Sequence, residues 1–340
     1  MRLRLTDPNG TLRSVCGGPG RWGGFQTRDA LEDIWGGETK PVIETLRISV
    51  RNNAVSLRRG AWLARALEES DPRARMQVCP VAQEEHDIDA GENLLWTALR
   101  TDTADCALAD ASTLKKWPPP PWVRAVAFLA RMNPRFALLH RSSVRFSDLP
   151  AAPRLSTSSG LARVQFDNAK PGAEWVELSG DLPTRLHKLH LGHADGVIEP
   201  ASDLLTLGIA EDAIEFLSTD MLLPAPGQGV WVVFSLSDRT DVAQALRGLD
   251  DRKAAICAKT ERTFAARLDA PAYCLVGARA WVQTKRLTLD ACIMPAEGGV
   301  VQRLSISGAP EQPEELVAGL VDMFRQQSVF RQCRGKVDRG

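Results

Sequence analysis

From Leu46 onward the apolar positions switch repeatedly between the period of a strand and that of a helix. LRISV (46–50) is a short β-forming run that predicts a buried strand. Leu57, Ala61, Ala64 and Leu67 then recur on one face of a helix over 56–70, which Asp71-Pro72 ends, since a residue before proline is driven out of the helical region. MQVCPVA (76–82) predicts the next strand, followed by a helix over 93–100 and a strand at ADCALA (104–109). Such alternation implies a largely parallel sheet with helices on its faces. WPPPPW (117–122) fits neither helix nor central strand and predicts a stiff surface connection.

A second alternation starts after Asn133-Pro134-Arg135. Strands are expected at 136–140, 154–157, 174–178 and 196–200, and helices at 158–165, 183–190 and 212–218. PAPGQG (224–229) is a turn into an apolar strand, VWVVFSL (230–236). The end of the chain reads differently: a long helix over 252–268, strands near 275–283, 286–294 and 300–307, and a last helix from Pro313 to Gln326. That order predicts a small α+β domain. Residues 1–44, rich in glycine and lacking sustained periodicity, read as a loosely docked extension with one short helix at 29–35.

Composition narrows the classes. At 340 residues the chain exceeds the ~250–300 at which single cores stop growing, so two or three domains are expected. Lys plus Arg number 42, as do Asp plus Glu, which leaves no bulk charge to attract nucleic acid or an anionic membrane. No apolar run reaches the ~18 residues of a membrane span, and MRLRLTDPNG lacks the apolar stretch of a signal peptide, so a cytoplasmic location is expected. Seven scattered cysteines form no CxxC and suggest no disulfide framework; Cys106 and Cys257, in apolar runs, read as small buried hydrophobes. His187, His190 and His193 lack a completing carboxylate or thiol pattern and read as surface histidines rather than metal ligands. No metal is expected.

Six segments carry a resemblance. LSTSSGLARVQ (155–165) resembles IGTSSLRRxxQ, and DLPTRLHKLHLGHADGVIEPASDLLTLG (181–208) resembles NVxTRLxKLxxGxxDAxILAxAGLxRLG. MLLPAPGQGVWVVF (221–234) is similar to MLPAxGQGxxxIE, and ERTFAARLDAPAYCLVGARA (261–280) to ERxFLxxLxGGCxxPxGAxA. RMNPRFA (131–137) and LRISVRNNAVS (46–56) match REDPRDA and IRIxTRxSxLA. In this order and near-native spacing they resemble porphobilinogen deaminase (hydroxymethylbilane synthase) over residues 46–330. The resemblance implies an α/β fold of two periplasmic-binding-protein-like lobes plus a small C-terminal α+β domain. It divides the chain into lobe 1 (45–136 and 227–250), lobe 2 (137–226), the C-terminal domain (251–330) and a tail (331–340). It further implies a cleft between lobes, a cysteine-linked dipyrromethane cofactor, a catalytic aspartate and arginines that bind acetate and propionate groups. The family's reaction joins four porphobilinogens head to tail with loss of ammonia.

The functional positions depart from that pattern. Against ADIAVHSxKDxP, the segment ADCALADASTLKKWP (104–118) puts Thr113 or Leu114 at the aspartate position. Asp110 is the nearest carboxylate, three places early, and on a strand an odd shift predicts the opposite face. The cofactor cysteine position is Ala272, with Cys274 two residues later. Arginine positions are taken by Leu161, Ala162, Ser179 and Thr206; Arg51, Arg135, Arg185 and Lys188 remain as candidate substrate-binding cations, and Arg163 stands displaced by one. Thr157, Ser158 and Ser159, where a strand enters a helix, are candidate anion binders, and equally ordinary N-caps. Stabilisation of the positive charge that develops as ammonia leaves needs a nearby anion. The chain therefore reads as a catalytically impaired relative that holds no cofactor. Its partners in that reading are a small anionic or pyrrole-like ligand or a protein of the tetrapyrrole pathway. The alternative is an active synthase that uses Cys274 and Asp110 and carries dipyrromethane.

Overall fold

The computed structural model describes residues 3–6, 12–15, 45–81, 88–114, 119–271 and 273–330, with side chains from 45 onward except 88–93. Strands β1 (Leu3–Thr6) and β2 (Leu12–Val15) pair antiparallel within a compact unit of their own, Met1–Pro41. These strands were not expected from the sequence, where short runs between glycines gave no period to read. The helix expected at 29–35 lies outside the described residues.

Residues Val42–Gly340 form the second unit. It opens with β3 (Leu46–Arg51), α1 (Ala54–Ser70), β4 (Met76–Val81), α2 (Ile88–Arg100), β5 (Cys106–Asp110) and β6 (Val123–Phe128). Helix α1 starts where the Asn53 side chain accepts from the Ser56 N–H at 2.9 Å and stops where the Asp71 N–H donates to the Leu67 carbonyl. β4 and β5 flank β3, both parallel to it. β6 follows directly on the proline-rich connection and was not foreseen.

A second sheet holds β7 (Phe136–His140), β8 (Arg154–Ser156), β9 (Glu174–Trp175), β10 (Gly196–Pro200) and β11 (Glu215–Phe216), in the order β11-β7-β10-β8-β9. Its helices are α3 (Gly160–Ala169), α4 (Leu182–His190) and α5 (Ala201–Thr206). The helix expected over 212–218 is instead a single 3-10 turn followed by β11. Edge pairing of Glu215 and Phe216 with Leu138 and Ala137, and the Phe146 N–H donating to the Glu215 carboxylate at 2.6 Å, override the helical spacing. The strand expected over 174–178 ends at Trp175.

The chain then returns to the first sheet. β12 (Trp231–Leu236) inserts between β5 and β6, antiparallel to both, and completes the order β4-β3-β5-β12-β6. Successive residues of this sheet serve opposite layers. Leu108 and Val233 pack with Leu63 and Leu67, while Ala107, Val232 and Phe234 pack with Leu95 and Leu99. After α6 (Thr240–Ala245) come α7 (Arg252–Leu268), the antiparallel meander β13 (Cys274–Gln283), β14 (Arg286–Pro295) and β15 (Gln302–Gly308), and α8 (Pro313–Arg325). Phe264, Leu289, Leu320 and Phe324 centre this third core. The start of α7 also packs Ala254 and Ala258 against the first lobe.

Two segments cross between the lobes, 129–135 and 217–230, and the GQG turn joins them. The Gln228 side-chain amide donates to the Pro134 carbonyl at 2.7 Å. Gly227 has φ +87°, and a Cβ there would lie 2.8 Å from the Ala111 Cβ, so only glycine suits the crossing. Glu261 of α7, wholly buried, anchors this joint. It accepts from Gly227 N at 2.6 Å, Ala280 N at 2.5 Å and Arg131 Nη1 at 2.6 Å.

Candidate functional site

The ends of strands from both lobes open on a cavity of about 1150 Å³. Arg51 closes β3, Asp110 closes β5 and Glu199 lies near the end of β10, so each functional side chain emerges at a carboxyl end, where open α/β sheets place ligands. Ser158, Glu177, Asp181, Arg185, Asp203 and Trp231 also line it. A neighbouring hollow of about 630 Å³ shares Ser158, Glu177, Ser179 and Arg185 and adds Thr157 and Arg163.

Asp110 is in the cleft, contrary to the strand-face argument. β5 ends at this residue, and its side chain turns to cap the following 3-10 turn, accepting from Ser112 N at 2.7 Å and Ser112 Oγ at 2.6 Å. Burial pushes its pKa up, while the Ser112 bonds, Arg51 and Arg131 pull it back. Thr113, one of the two residues at the expected aspartate position, lines the cavity and donates its hydroxyl to the Asp110 carbonyl at 3.0 Å. Leu114, the other, is buried in the core of lobe 1.

Cys274 is not brought to this site. It opens β13 within the C-terminal core, 8% exposed, and it is disulfide-bonded. The scattered cysteine spacing, which suggests no disulfide framework, gives no sign of this bond. The other described cysteines, Cys79, Cys106, Cys257 and Cys292, are free thiols, and none lines the cavity. Burial pushes the Cys257 thiol up to about 11 and the Cys292 thiol to about 12, far from a nucleophile's range. Ala272 lies outside the described residues. No described thiol therefore fits a thioether-linked dipyrromethane in the cleft.

The candidate anion binders are largely spent inside the protein. Ser159 caps α3 by accepting from Ala162 N at 3.2 Å, and Thr157 Oγ1 accepts from Ser159 N at 3.1 Å. Ser158 gives its backbone N–H (3.2 Å) and its hydroxyl (2.8 Å) to the Glu199 carboxylate, which also pairs with Arg185. Glu199, 2% exposed, thus fills the anion cradle at the start of α3 with the protein's own carboxylate. Lys188 donates to Ser179 O and Oγ at 2.9 and 2.7 Å. Arg135 donates to Asn133 and stacks over Phe216 at 4.5 Å, and neither it nor Lys188 lines the cavity. Arg163 lies over Trp175 at 5.6 Å beside the smaller hollow. Of the candidate cations, Arg51 and Arg185 line the main cavity.

Sequence reading missed Glu199 and Asp203. The signal was present: a glutamate inside the apolar strand GVIEP is a buried charge that demands a partner, and Asp203 stands one turn on at the start of α5. Burial, with Asp110 and Glu199 nearby, pushes Asp203 up to about 8.

Two family models cover the chain: "Porphobilinogen deaminase, dipyromethane cofactor binding domain" over residues 46–244 and "Porphobilinogen deaminase, C-terminal domain" over 255–326. The chain belongs to the porphobilinogen deaminase family. Its biosynthetic setting is that of tetrapyrroles. The porphobilinogen deaminase of Roseiflexus sp. (strain RS-1) is 33% identical over 230 residues, 68% of this chain and 75% of that protein. That of Desulfitobacterium hafniense is 27% identical over 299 residues, 84% of this chain and 96% of the relative, so the match spans both lobes and the C-terminal domain. Among solved structures, the substrate-binding domain of a putative molybdenum ABC transporter from Clostridium difficile aligns at TM-score 0.41 and 13% identity over 62% of this chain and 93% of that one. Among the described residues no helix is long and apolar enough to cross a membrane.

Proposed function

We propose that this porphobilinogen deaminase family member does not assemble oligopyrroles and serves as a ligand-binding or regulatory protein of tetrapyrrole biosynthesis. The observation that carries this reading is the state of Cys274: buried, disulfide-bonded and not among the described residues that line the cleft. Without a thioether anchor the chain of pyrroles has nothing to grow on. The filled anion cradle supports the same reading. Ser158 and Arg185 hold Glu199, and a polycarboxylate would lose those charge-assisted bonds, each worth roughly 1.5–3 kcal/mol. On this reading the protein carries no dipyrromethane.

One observation favours the alternative of an active synthase that uses Cys274 and Asp110. Asp110 lines the cleft with its carboxylate next to Arg51 and the backbone of the following turn, where a developing cation would meet it. That route also needs Cys274 reduced and moved out of the C-terminal core.

The test is the intact mass of the purified protein, with and without reductant, after incubation with excess porphobilinogen. The expected mass is that of the bare chain, while a porphobilinogen deaminase treated alongside gains oligopyrrole. An increment that disappears in Cys274→Ala would establish the active reading instead.

A further inference from the structure

The buried pair of Glu199 and Arg185 has the geometry of a binding site with its ligand in place. Glu199 lines the main cavity at 2% exposure. One carboxylate oxygen accepts from the Ser158 backbone N–H at 3.2 Å and from the Arg185 guanidinium, and the other accepts from the Ser158 hydroxyl at 2.8 Å. A backbone N–H, a hydroxyl and a guanidinium converging on one planar anion is how a pocket fixes the carboxylate of a small molecule. Among the described residues, the Ser158 hydroxyl and the Arg185 guanidinium donate to no other group. A second, independent observation comes from the sequence. Thr157, Ser158 and Arg185 follow the family patterns matched over 155–165 and 181–208, whereas Glu199 stands where the pattern has leucine. The donors are thus those of the family, and the acceptor is this chain's own. The backbone holds that acceptor in place, since Glu199 lies opposite Ala137 of β7 and the Ala201 N–H donates to the Arg135 carbonyl.

We propose that Glu199 is an internal stand-in for a ligand's carboxylate: it fills the site formed by Ser158 and Arg185, keeps acidic ligands out of that part of the cleft, and leaves the site open to a free carboxylate once its side chain is removed. The inference deepens the ligand-binding reading above and rests on it, by naming a class of ligand that the native cleft rejects. A carboxylate tethered beside its donors competes at a high effective concentration, and a free acid has to overcome that advantage before it binds. Glu199→Ala takes away the Cγ methylene and the carboxylate, which are the heavy atoms of acetate. The space they leave opens on the cavity that Glu199 lines. The Arg185 guanidinium, its side chain 12% exposed, then lacks its counter-charge until an anion from solution supplies one. An ordinary structural ion pair makes no such demand, because loss of one partner there weakens the fold without creating a place for a small molecule.

The experiment is a thermal-shift titration of the full chain, parent and Glu199→Ala, with sodium acetate and disodium succinate against sodium chloride at equal ionic strength. The parent is expected to respond to the two acids only as it does to chloride. Glu199→Ala should melt below the parent in chloride and recover saturably with either acid, at concentrations at least tenfold below any that move the parent. Adding Arg185→Leu to Glu199→Ala should abolish that recovery. Glu199→Gln keeps the shape of the side chain and removes its charge, so it tests the same competition should the alanine variant fail to fold. Succinate is expected to bind it at least tenfold more tightly than the parent. Three results each overturn the proposal: a parent that binds succinate as tightly as the variants, a folded Glu199→Ala or Glu199→Gln that the acids stabilise no more than chloride does, and a double variant that still recovers. The mass measurement keeps the two readings apart. A porphobilinogen increment on the parent sinks the non-catalytic reading whatever the acids do, whereas an unmodified parent together with any of those three results sinks this inference alone.

Discussion

Asp203 holds a proton near neutral pH that the unfolded chain has already released. Its pKa rises from an ordinary 3.8 to about 8 because burial and the neighbouring Asp110 and Glu199 disfavour its charge. Between those two values the folded protein binds more protons than the unfolded one, so stability falls as pH rises through the window and is fully present only below it. Asp110 and Glu199, also raised by burial, act in the same direction. Asp203→Asn removes one such contribution. The expected result is a thermal midpoint several degrees above the parent at pH 8, with the gain fading toward pH 4. Differential scanning calorimetry across that range checks it; a constant offset at every pH would place the effect in packing instead.

At the scale of elements, the GQG turn is the most constrained backbone in the lobe crossing. Gly227 combines a left-handed φ with 2.8 Å from a built Cβ to the Ala111 Cβ, so Gly227→Ala meets both strain and overlap. A loss of about 2–4 kcal/mol is expected, read by urea unfolding, whereas Gly248→Ala, open on every side, should change little. Elements such as this were legible in the sequence because their determinants are local. The strand FALLH, the strand GVIEP and the helix over 252–268 carry their period and caps within a few residues, and each forms where its pattern places it. β11 was not legible, since its pairing with β7 lies far away in sequence and outweighs a helical spacing. The site was legible in part. Motif spacing pointed to the cleft, and Asp110 was found although its orientation was misjudged. The strand rule assumes that pairing continues, and β5 stops at that very residue. Glu199 filling the cradle of Ser158 and Arg185 depends on two strands meeting across a sheet, which no window of sequence displays.

For the molecule as a whole, Glu261 is the residue through which three regions meet. Arg131 from the first crossing gives Glu261 two bonds at 2.6 and 3.1 Å, and the GQG turn and β13 give it their backbone N–H groups. Truncation leaves two buried backbone donors without their acceptor and the Arg131 guanidinium without its counter-charge, bonded only to the Gln228 and Ala280 carbonyls. Glu261→Ala should therefore cost roughly 3–5 kcal/mol, with the loss appearing as a broadened or split calorimetric transition as the C-terminal domain uncouples from the lobes. A single sharp transition at an unchanged midpoint would contradict that coupling.

The late return of β12 also governs how the protein is made. During synthesis β5 and β6 emerge about a hundred residues before the strand that belongs between them, and all of the second lobe is translated in the interval. The inserted lobe has every strand it needs first, so it can close while its host stands open with two unpaired edges. A ribosome that pauses before Trp231 leaves those edges exposed to neighbouring nascent chains. The period of greatest risk for this protein is thus neither the start nor the end of translation, but the stretch in which a finished domain hangs from an unfinished one.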